Sequence, residues 1–295
     1  PNPQRSAMFG LLFGLAFAVG SAFGLDYLND TIKTPEDITR RLKLPFLGLV
    51  PAVRGEGSYP LLSDATPHEF SEAFRALRTS IVLPTTGINN GHGGKPMVLV
   101  TSAQPLEGKT TTACNLAMAL AVGGARVLLI DADLRRPGMH RTLGLENTRG
   151  LAQVLSGEAA LRDVIRRTNE PNLLALTAGA PPPNPSELLA SDRMKRLLGA
   201  LAQGPFDWVL LDAPPVLAVT DAVILAPMVS GVTFVFGAEM TRRRIAERAV
   251  ETLMVGRPRV VGGILNRVDF ARNKYYYSRY YGYKYASYYS EAPAI

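Results

Sequence analysis

The stretch MVLVTSAQPLEGKTTTACNLAMALA, residues 97–121, decides the fold. Its first part, Met97–Thr101, is a short apolar run typical of a buried strand, and its last part, 115–121, continues as an apolar helix. Between them lies the segment AQPLEGKTT, residues 103–111. A glycine and a lysine in a loop between a strand and a helix are what a phosphate-binding loop requires.

Several residues of this loop have a direct physical use. Gly108 lets the backbone approach a nucleotide, Lys109 neutralises the β and γ phosphates, and the Thr110 hydroxyl can ligate Mg²⁺. The loop departs from the strict pattern because Ala103 occupies the first glycine position. We predict that the nucleotide is bound by Gln104, Pro105, Leu106, Glu107, Gly108, Lys109, Thr110 and Thr111.

Two further apolar runs end in aspartates. Residues 127–130 lead into Asp131 and Asp133, and residues 208–211 lead into Asp212. A single aspartate after a strand is often only a turn or cap residue. Three of them beside a phosphate loop, at the edge where open α/β sheets bind nucleotides, instead predict a site for a nucleotide with Mg²⁺.

The fold class that follows is α/β, similar to P-loop NTPases, with a mostly parallel sheet and helices on both faces. Short runs rich in valine, isoleucine and leucine alternate with helical stretches from about residue 67 onward. Asn184 and Pro185 carry the start signals of one helix, as N-cap and first helical residue. The predicted strands are Met97–Thr101, Arg126–Ile130, Leu173–Thr177, Trp208–Leu211, Val232–Phe236 and Val260–Leu265.

The N-terminal segment has a different character. Residues 7–25 carry no charge, and a helix of that length reaches roughly across the hydrocarbon core of a bilayer. We predict that residues 1–25 contain a transmembrane helix that ends a membrane module; a signal peptide is the alternative, but it would need a charged start and a cleavage site. The basic flank places the C-terminal side in the cytoplasm, because Arg5 precedes the span and Lys33, Arg40, Arg41 and Lys43 follow it.

Residues 26–66 are predicted to be a cytoplasmic linker, because prolines and glycines interrupt any long element. The formal net charge of +7 suits acidic partners, but the chain lacks a basic helix with interleaved aromatic residues, so we predict no nucleic-acid partner. One cysteine, Cys114, excludes an internal disulfide framework, and three scattered histidines, His68, His92 and His140, do not predict a structural metal site.

The C-terminus is unusual in composition. Residues 274–289, KYYYSRYYGYKYASYY, hold nine of the eleven tyrosines of the chain. Composition alone is compatible with a disordered, low-complexity segment. The tyrosines are Tyr275, Tyr276, Tyr277, Tyr280, Tyr281, Tyr283, Tyr285, Tyr288 and Tyr289.

Together these motifs resemble the bacterial protein-tyrosine kinases of polysaccharide synthesis and export, whose kinase domain is attached to a membrane-anchored polysaccharide co-polymerase module. The resemblance covers nearly the whole chain. It is carried by SAQPLEGKTT (102–111), LLIDADLRRP (128–137), VLLDAPP (209–215), the motif Glu72-x2-Arg75-x2-Arg78 and the tyrosine cluster.

The resemblance implies an ATP-dependent tyrosine autokinase at the bacterial inner membrane, with a cytoplasmic kinase domain at residues 67–270. Residues 271–295 would be a tail whose nine clustered tyrosines accept phosphate, mainly from neighbouring subunits of a ring. The implied partners are a second copy of the chain, the membrane, the polysaccharide polymerisation and export machinery and a tyrosine phosphatase.

The resemblance and the logic of phosphoryl transfer also assign roles. Lys109 would hold phosphate, while Thr110, Asp131 and Asp212 are the expected metal ligands, directly or through water. Asp131 would also act as base for a tyrosine hydroxyl, with Asp133 supporting the metal or the base. Asn266, after the last strand, is a candidate contact for adenine.

Two features keep alternatives open. Arg135 and Arg136 could neutralise transferred phosphate or be solvated surface charges. One helix would carry Glu72, Arg75 and Arg78 within an arc of about 120°. Their spacing alone favours a solvated face, whereas the resemblance implies a subunit interface.

A rival function is a membrane-attached switch ATPase of the partitioning or cell-division positioning type. Such relatives carry an extra lysine five residues before the main lysine of the loop. This chain has Gln104 there, and the rival leaves the tyrosine tail unexplained.

Overall fold

A computed structural model of the chain describes residues 3–28, 30–53, 62–63, 66–86 and 94–270. The nine tyrosines proposed as phosphate acceptors lie outside these residues. The described part is an α/β structure built on one sheet of eight strands. The strands are β1 Phe46–Pro51, β2 Met97–Ser102, β3 Val127–Asp131, β4 Arg166–Arg167, β5 Leu173–Leu176, β6 Trp208–Asp212, β7 Gly231–Gly237 and β8 Val260–Val268.

The strand order across the sheet is β1-β8-β7-β2-β6-β3-β5-β4. All neighbours are parallel except the edge strand β4, which is antiparallel to β5. The six strands predicted from apolar runs are therefore confirmed. Their carboxyl ends lie along one edge, and in register Asp131 of β3 is beside Asp212 of β6.

Helices cover both faces of the sheet, as predicted. On one face α2 and α3 bury apolar side chains such as Phe74 and Leu116 against the strands, and on the other α7, α8 and α10 bury Leu189, Leu197 and Leu253. The α-helices are α1 Pro3–Leu28, α2 His68–Thr86, α3 Lys109–Val122, α4 Met139–Leu143, α5 Leu151–Ser156, α6 Leu161–Val164, α7 Pro185–Ala190, α8 Asp192–Ala202, α9 Asp221–Leu225 and α10 Arg243–Met254.

The predicted start of α7 is confirmed in position and corrected in one detail. Pro185 is the first helical residue and Asn184 stands at the N-cap. The Asn184 side chain does not cap the backbone of the helix. Its Nδ2 donates to Oε2 of Glu187 at 2.6 Å instead.

The prediction that residues 26–66 form only a linker is wrong for a large part of that segment. Strand β1 pairs with β8 at the edge of the sheet, and Ile32 and Ile38 are fully buried. Pro51 ends β1, and an edge strand tolerates proline because one side of it makes no ladder hydrogen bonds. The folded domain therefore begins well before the predicted residue 67.

Residues 3–28 form the helix α1. Its described side chains, at residues 8–21, are exposed. No helix in the described part of the chain is both long and apolar enough to cross a membrane. The transmembrane helix predicted at residues 7–25 stays a prediction.

Candidate active site

The loop between β2 and α3 turns sharply on Gly108. This residue has a φ of 88° and forms the N-cap of α3. A Cβ atom there would lie 2.1 Å from Nδ2 of Asn266, so only glycine fits. The loop therefore brings the first turn of α3, with Lys109 and Thr110, to the carboxyl edge of the sheet.

Glu107 holds this loop from the inside. Its side chain is buried, and Oε2 accepts a hydrogen bond from the Gln104 backbone N–H at 2.8 Å. The Thr241 hydroxyl donates to its other oxygen in a short contact. Burial raises the pKa of Glu107, although these hydrogen bonds act in the opposite direction.

Asn266 braces the same loop. Its Nδ2 donates to the backbone carbonyl of Glu107 at 2.8 Å, and the residue is almost completely buried. The structure thus brings Asn266 to the phosphate loop, as the prediction of a nucleotide contact requires. Contact with adenine itself stays a prediction.

Lys109 lies between two of the three predicted aspartates. Its Nζ is 2.9 Å from Oδ2 of Asp133 and 3.3 Å from Oδ1 of Asp212. Burial by itself would lower the pKa of Lys109, but the carboxylates of Asp212 and Asp133 outweigh it and raise the pKa above its usual value. The lysine is therefore held as a cation at the carboxyl edge.

Thr110 is bonded to the same cluster. Its hydroxyl donates to Oδ2 of Asp212 at 2.6 Å. Asp212 is fully buried, and burial raises its pKa. Two oxygens of the kind that Mg²⁺ prefers therefore lie side by side.

Asp131 is also fully buried but does not contact the lysine. Its two oxygens accept hydrogen bonds from the backbone N–H groups of Asp133, at 3.1 Å, and Met139, at 3.2 Å. Burial, followed by the negative charge of Asp212, raises the pKa of Asp131 to about 8. The cluster thus contains a carboxyl that can take up a proton near neutral pH.

The charges in this cluster favour one more cation. Lys109 contacts two buried carboxylates, Asp133 and Asp212, and the charge of Asp131 also acts on it. A divalent ion would offset the remaining negative charge. Among the described residues, no group of three or more His, Cys, Asp and Glu side chains could hold a metal alone. Mg²⁺ needs fewer protein ligands, because it usually keeps waters and binds substrate phosphates. Thr110 and Asp212 fit that requirement.

The predicted interface motif lies on α2. Glu72 forms a short ion pair with the exposed Arg75, one turn along the same helix. Arg78 points to its own chain, since its Nη1 donates to the Ala119 carbonyl near the end of α3 at 3.1 Å. All three residues lie on α2, and a subunit interface at this helix stays a prediction.

The interior braces of the loop were not predicted. An acidic residue inside a loop that binds phosphate would repel its ligand unless the side chain turned inward. Glu107 carried that signal in the sequence, but its partner Thr241 lies 134 residues away. Sequence spacing therefore did not identify the partner.

Comparisons with known proteins agree with this geometry. A family model described as an AAA domain matches residues 107–230. Tyrosine-protein kinase YwqD of Bacillus subtilis is 40% identical over 214 residues, which are 72% of this chain and 87% of that protein. The solved BceF tyrosine kinase domain shares 36% identity, covers 81% of this chain and 99% of its own, and has a TM-score of 0.72.

A longer relative extends the match to nearly the whole chain. Putative tyrosine-protein kinase EpsB of Ralstonia nicotianae is 33% identical over an alignment 304 positions long, which covers 98% of this chain. The chain spans 39% of that relative's length. The chain shares its kinase region with the shorter YwqD, and it carries the predicted motifs and the site geometry described above. We conclude that the chain belongs to the bacterial protein-tyrosine kinase family and contains its kinase domain.

Proposed function

We propose that this chain transfers the γ-phosphate of ATP to tyrosines in residues 275–289, mainly between subunits. The observation that supports the proposal best is the assembled cluster, in which Lys109 bridges Asp133 and Asp212 and Thr110 bonds to Asp212. Phosphoryl transfer depends mostly on positioning and charge neutralisation. This cluster is built for both.

The residues divide the work as follows. Lys109 and the loop amides hold the β and γ phosphates, and Thr110 and Asp212 would hold Mg²⁺, which would supply further charge neutralisation. Asp131 receives the proton of the attacking phenol, whose ordinary pKa is about 10. A bond forms between the phenolic oxygen and the γ-phosphorus as the bond to the bridging oxygen breaks, and ADP leaves.

The tail has the chemistry of a regulated acceptor. Lys274, Arg279 and Lys284 make it positive before reaction. Each phosphate adds a charge of about −1.5 to −2 at neutral pH. A few transfers therefore reverse the sign of the segment, and with it the attraction to the acidic cluster of a neighbouring subunit.

We further propose that assembly into rings, through the α2 face with Glu72, Arg75 and Arg78, couples transfer to polysaccharide polymerisation and export. The motif resemblance supports this part of the proposal. The switch-ATPase alternative is less well supported, because Gln104 supplies no second lysine to a partner's phosphates.

The direct test is mass spectrometry of the purified protein after incubation with Mg·ATP. Phosphate is expected on tyrosines of residues 275–289. Lys109→Met should abolish it without unfolding the protein, and a wild-type protein that never gains phosphotyrosine would refute the proposal.

Transfer between subunits has its own test. The Lys109→Met protein, which keeps its tail, is mixed with an active protein that lacks residues 271–295. Labelling of the inactive partner's tail is expected, whereas labelling that needs an active site and a tail in one chain would contradict transfer in trans.

A further inference from the structure

Arg135 follows the catalytic aspartates but does not face solvent freely. Its guanidinium contacts Asp221, with Nε 3.0 Å from Oδ2 and Nη2 3.4 Å from Oδ1. The same Nη2 donates to the Ser186 hydroxyl at 2.7 Å, and that hydroxyl donates to Oδ1 of Asp221 at 2.6 Å. The side chain of Asp221 is fully buried, while that of Arg135 is 38% exposed.

These three side chains connect segments that surround the active site. Arg135 lies in the loop after β3, two residues beyond Asp133. Asp221 begins α9, after the loop that follows Asp212 at the end of β6. Ser186 is on α7, which packs against α9. The arginine therefore ties the loop that carries Asp133 to the helices beside the loop that carries Asp212.

The connection reaches the carboxylate of Asp133 through the backbone. The N–H of Arg136, the next residue after the tie, donates to Oδ1 of Asp133 at 3.0 Å. The other oxygen of Asp133 contacts Lys109. A shift of the Arg135 backbone would therefore move one of the two contacts that orient Asp133.

We propose that Arg135 is a positioning residue for phosphoryl transfer, acting through Asp221 and Ser186 to fix the loop that presents Asp133 to Lys109. The inference rests on the proposed kinase function. In this role Arg135 does not contact the transferred phosphate, because its guanidinium already pairs with the buried carboxylate of Asp221. A fork of two parallel N–H groups suits this task better than a single ammonium.

The partner residue distinguishes the possible roles. Asp221→Asn keeps the positive charge of Arg135 and removes the anion that holds it. If Arg135 acts through Asp221, this variant loses transfer as Arg135→Gln does. If Arg135 touched phosphate directly, freeing it from Asp221 would leave transfer intact or raise it.

The experiment measures kcat for tail phosphorylation per folded protein, affinity for Mg·ADP, and Tm in wild type, Arg135→Gln, Asp221→Asn and the double variant. Each single variant should lower kcat about 10- to 100-fold, the range seen when groups supporting metal ligands are removed. Affinity for Mg·ADP should change less than about threefold, because the phosphate loop is intact. The double variant should be no slower than the single variants.

Stability gives an independent readout. Arg135→Gln leaves Asp221 as an unpaired buried charge, so Tm should fall by about 5 °C or more, and adding Asp221→Asn should recover part of the loss. Matched controls are Arg126→Gln and Asp207→Asn, which break an exposed pair of the same residue types at the other end of β3 and β6. Neither should change kcat.

Three outcomes would overturn the inference. An unchanged kcat in Asp221→Asn together with a lowered kcat in Arg135→Gln would indicate direct phosphate contact by Arg135. A lower Tm with an unchanged kcat per folded protein in both single variants would indicate a purely structural tie. Additive losses in the double variant would show that the two residues act separately. A wild-type protein without transfer would instead contradict the proposed function.

Discussion

An arginine–aspartate pair joins the chain at each end of the neighbouring strands β3 and β6. At the amino ends, Arg126 and Asp207 pair at 3.1 Å with side chains 59% and 36% exposed. At the carboxyl ends, Arg135 pairs at 3.0 Å with an Asp221 side chain that is fully buried. The aspartate of the pair is therefore partly exposed to solvent at the amino ends of the strands and buried at the carboxyl ends.

The pKa values of two aspartates, Asp207 at the amino ends and Asp131 at the carboxyl ends, are shifted in opposite directions. The hydrogen bond from Arg126 holds the pKa of Asp207 below its usual value, whereas burial raises the pKa of Asp131 to about 8. Water solvates the exposed carboxylate of Asp207, whereas burial and the negative charge of Asp212 outweigh the two backbone hydrogen bonds that Asp131 accepts. A position at a strand end therefore does not by itself raise the pKa of an aspartate. The pKa is raised where carboxylates are buried close together.

The largest difference between the ends should be seen in catalysis. Asp131→Asn removes the proposed proton acceptor and should lower kcat for tail phosphorylation by about 10² to 10⁴, the usual contribution of a positioned acid or base. Affinity for Mg·ADP should fall much less than kcat, because Lys109, Thr110 and Asp212 are unchanged. Quenched-flow detection of phosphotyrosine and calorimetric titration would measure the two quantities.

Asp207→Asn is the matched change at the amino end and should leave kcat unaffected. Equal losses in the two variants would show that general destabilisation, and not proton transfer, explains the Asp131 result. Retained transfer in Asp131→Asn would remove that residue from the mechanism.

A smaller effect should distinguish the two ends of the strands. A carboxyl group at each end contributes to stability, and the two contributions should change with pH in opposite directions. Burial raises the pKa of Glu107 above its usual value, so the folded protein binds this proton more tightly than the unfolded chain does. Its contribution to stability is present at low pH and is lost as pH rises through the raised pKa. As pH rises above the usual range of a glutamate pKa, the Tm of wild type relative to Glu107→Gln should fall.

Asp207 should behave in the reverse manner. Because its folded pKa is lowered, its contribution is present above the unfolded pKa and is lost as pH falls. The Tm of wild type relative to Asp207→Asn should therefore fall towards acid pH. Asp131 and Asp212 have raised pKa values like Glu107, so only differences between paired variants isolate each residue. Parallel pH profiles for the two variants would contradict the comparison.

The sequence predicted the reactive end better than it predicted its supports. The sequence alone predicts one site for Lys109, Asp131 and Asp212, because the carboxyl ends of parallel strands lie at the same edge of a sheet. The partners Thr241 of Glu107 and Asp221 of Arg135 lie 134 and 86 residues away in the chain. No local pattern specifies such contacts, because they depend on how separate helices pack. Strand β1 was missed for another reason, since prolines that break a central strand are tolerated at an edge.

The smallest expected effect concerns backbone strain at the two ends. Leu106, in the phosphate loop, has a φ of 68° and is 78% exposed. A left-handed conformation costs a non-glycine residue about 1–2 kcal/mol, more than the roughly 0.5–1 kcal/mol of chain entropy that glycine loses. Leu106→Gly should therefore raise Tm by about 1–4 °C. Leu106→Ala keeps the strain and should not.

Gly124, in the turn after α3 at the amino end, reverses this test. Its φ is 92°, and a Cβ atom there would meet nothing within 4 Å, so strain alone opposes a side chain. Gly124→Ala should lower Tm by about the amount that Leu106→Gly raises it. If both changes lower Tm, the left-handed leucine is not strained relative to glycine. If both behave as expected, the phosphate loop retains a strained residue at the end where the chemistry takes place, while glycine relieves the same strain at the other end.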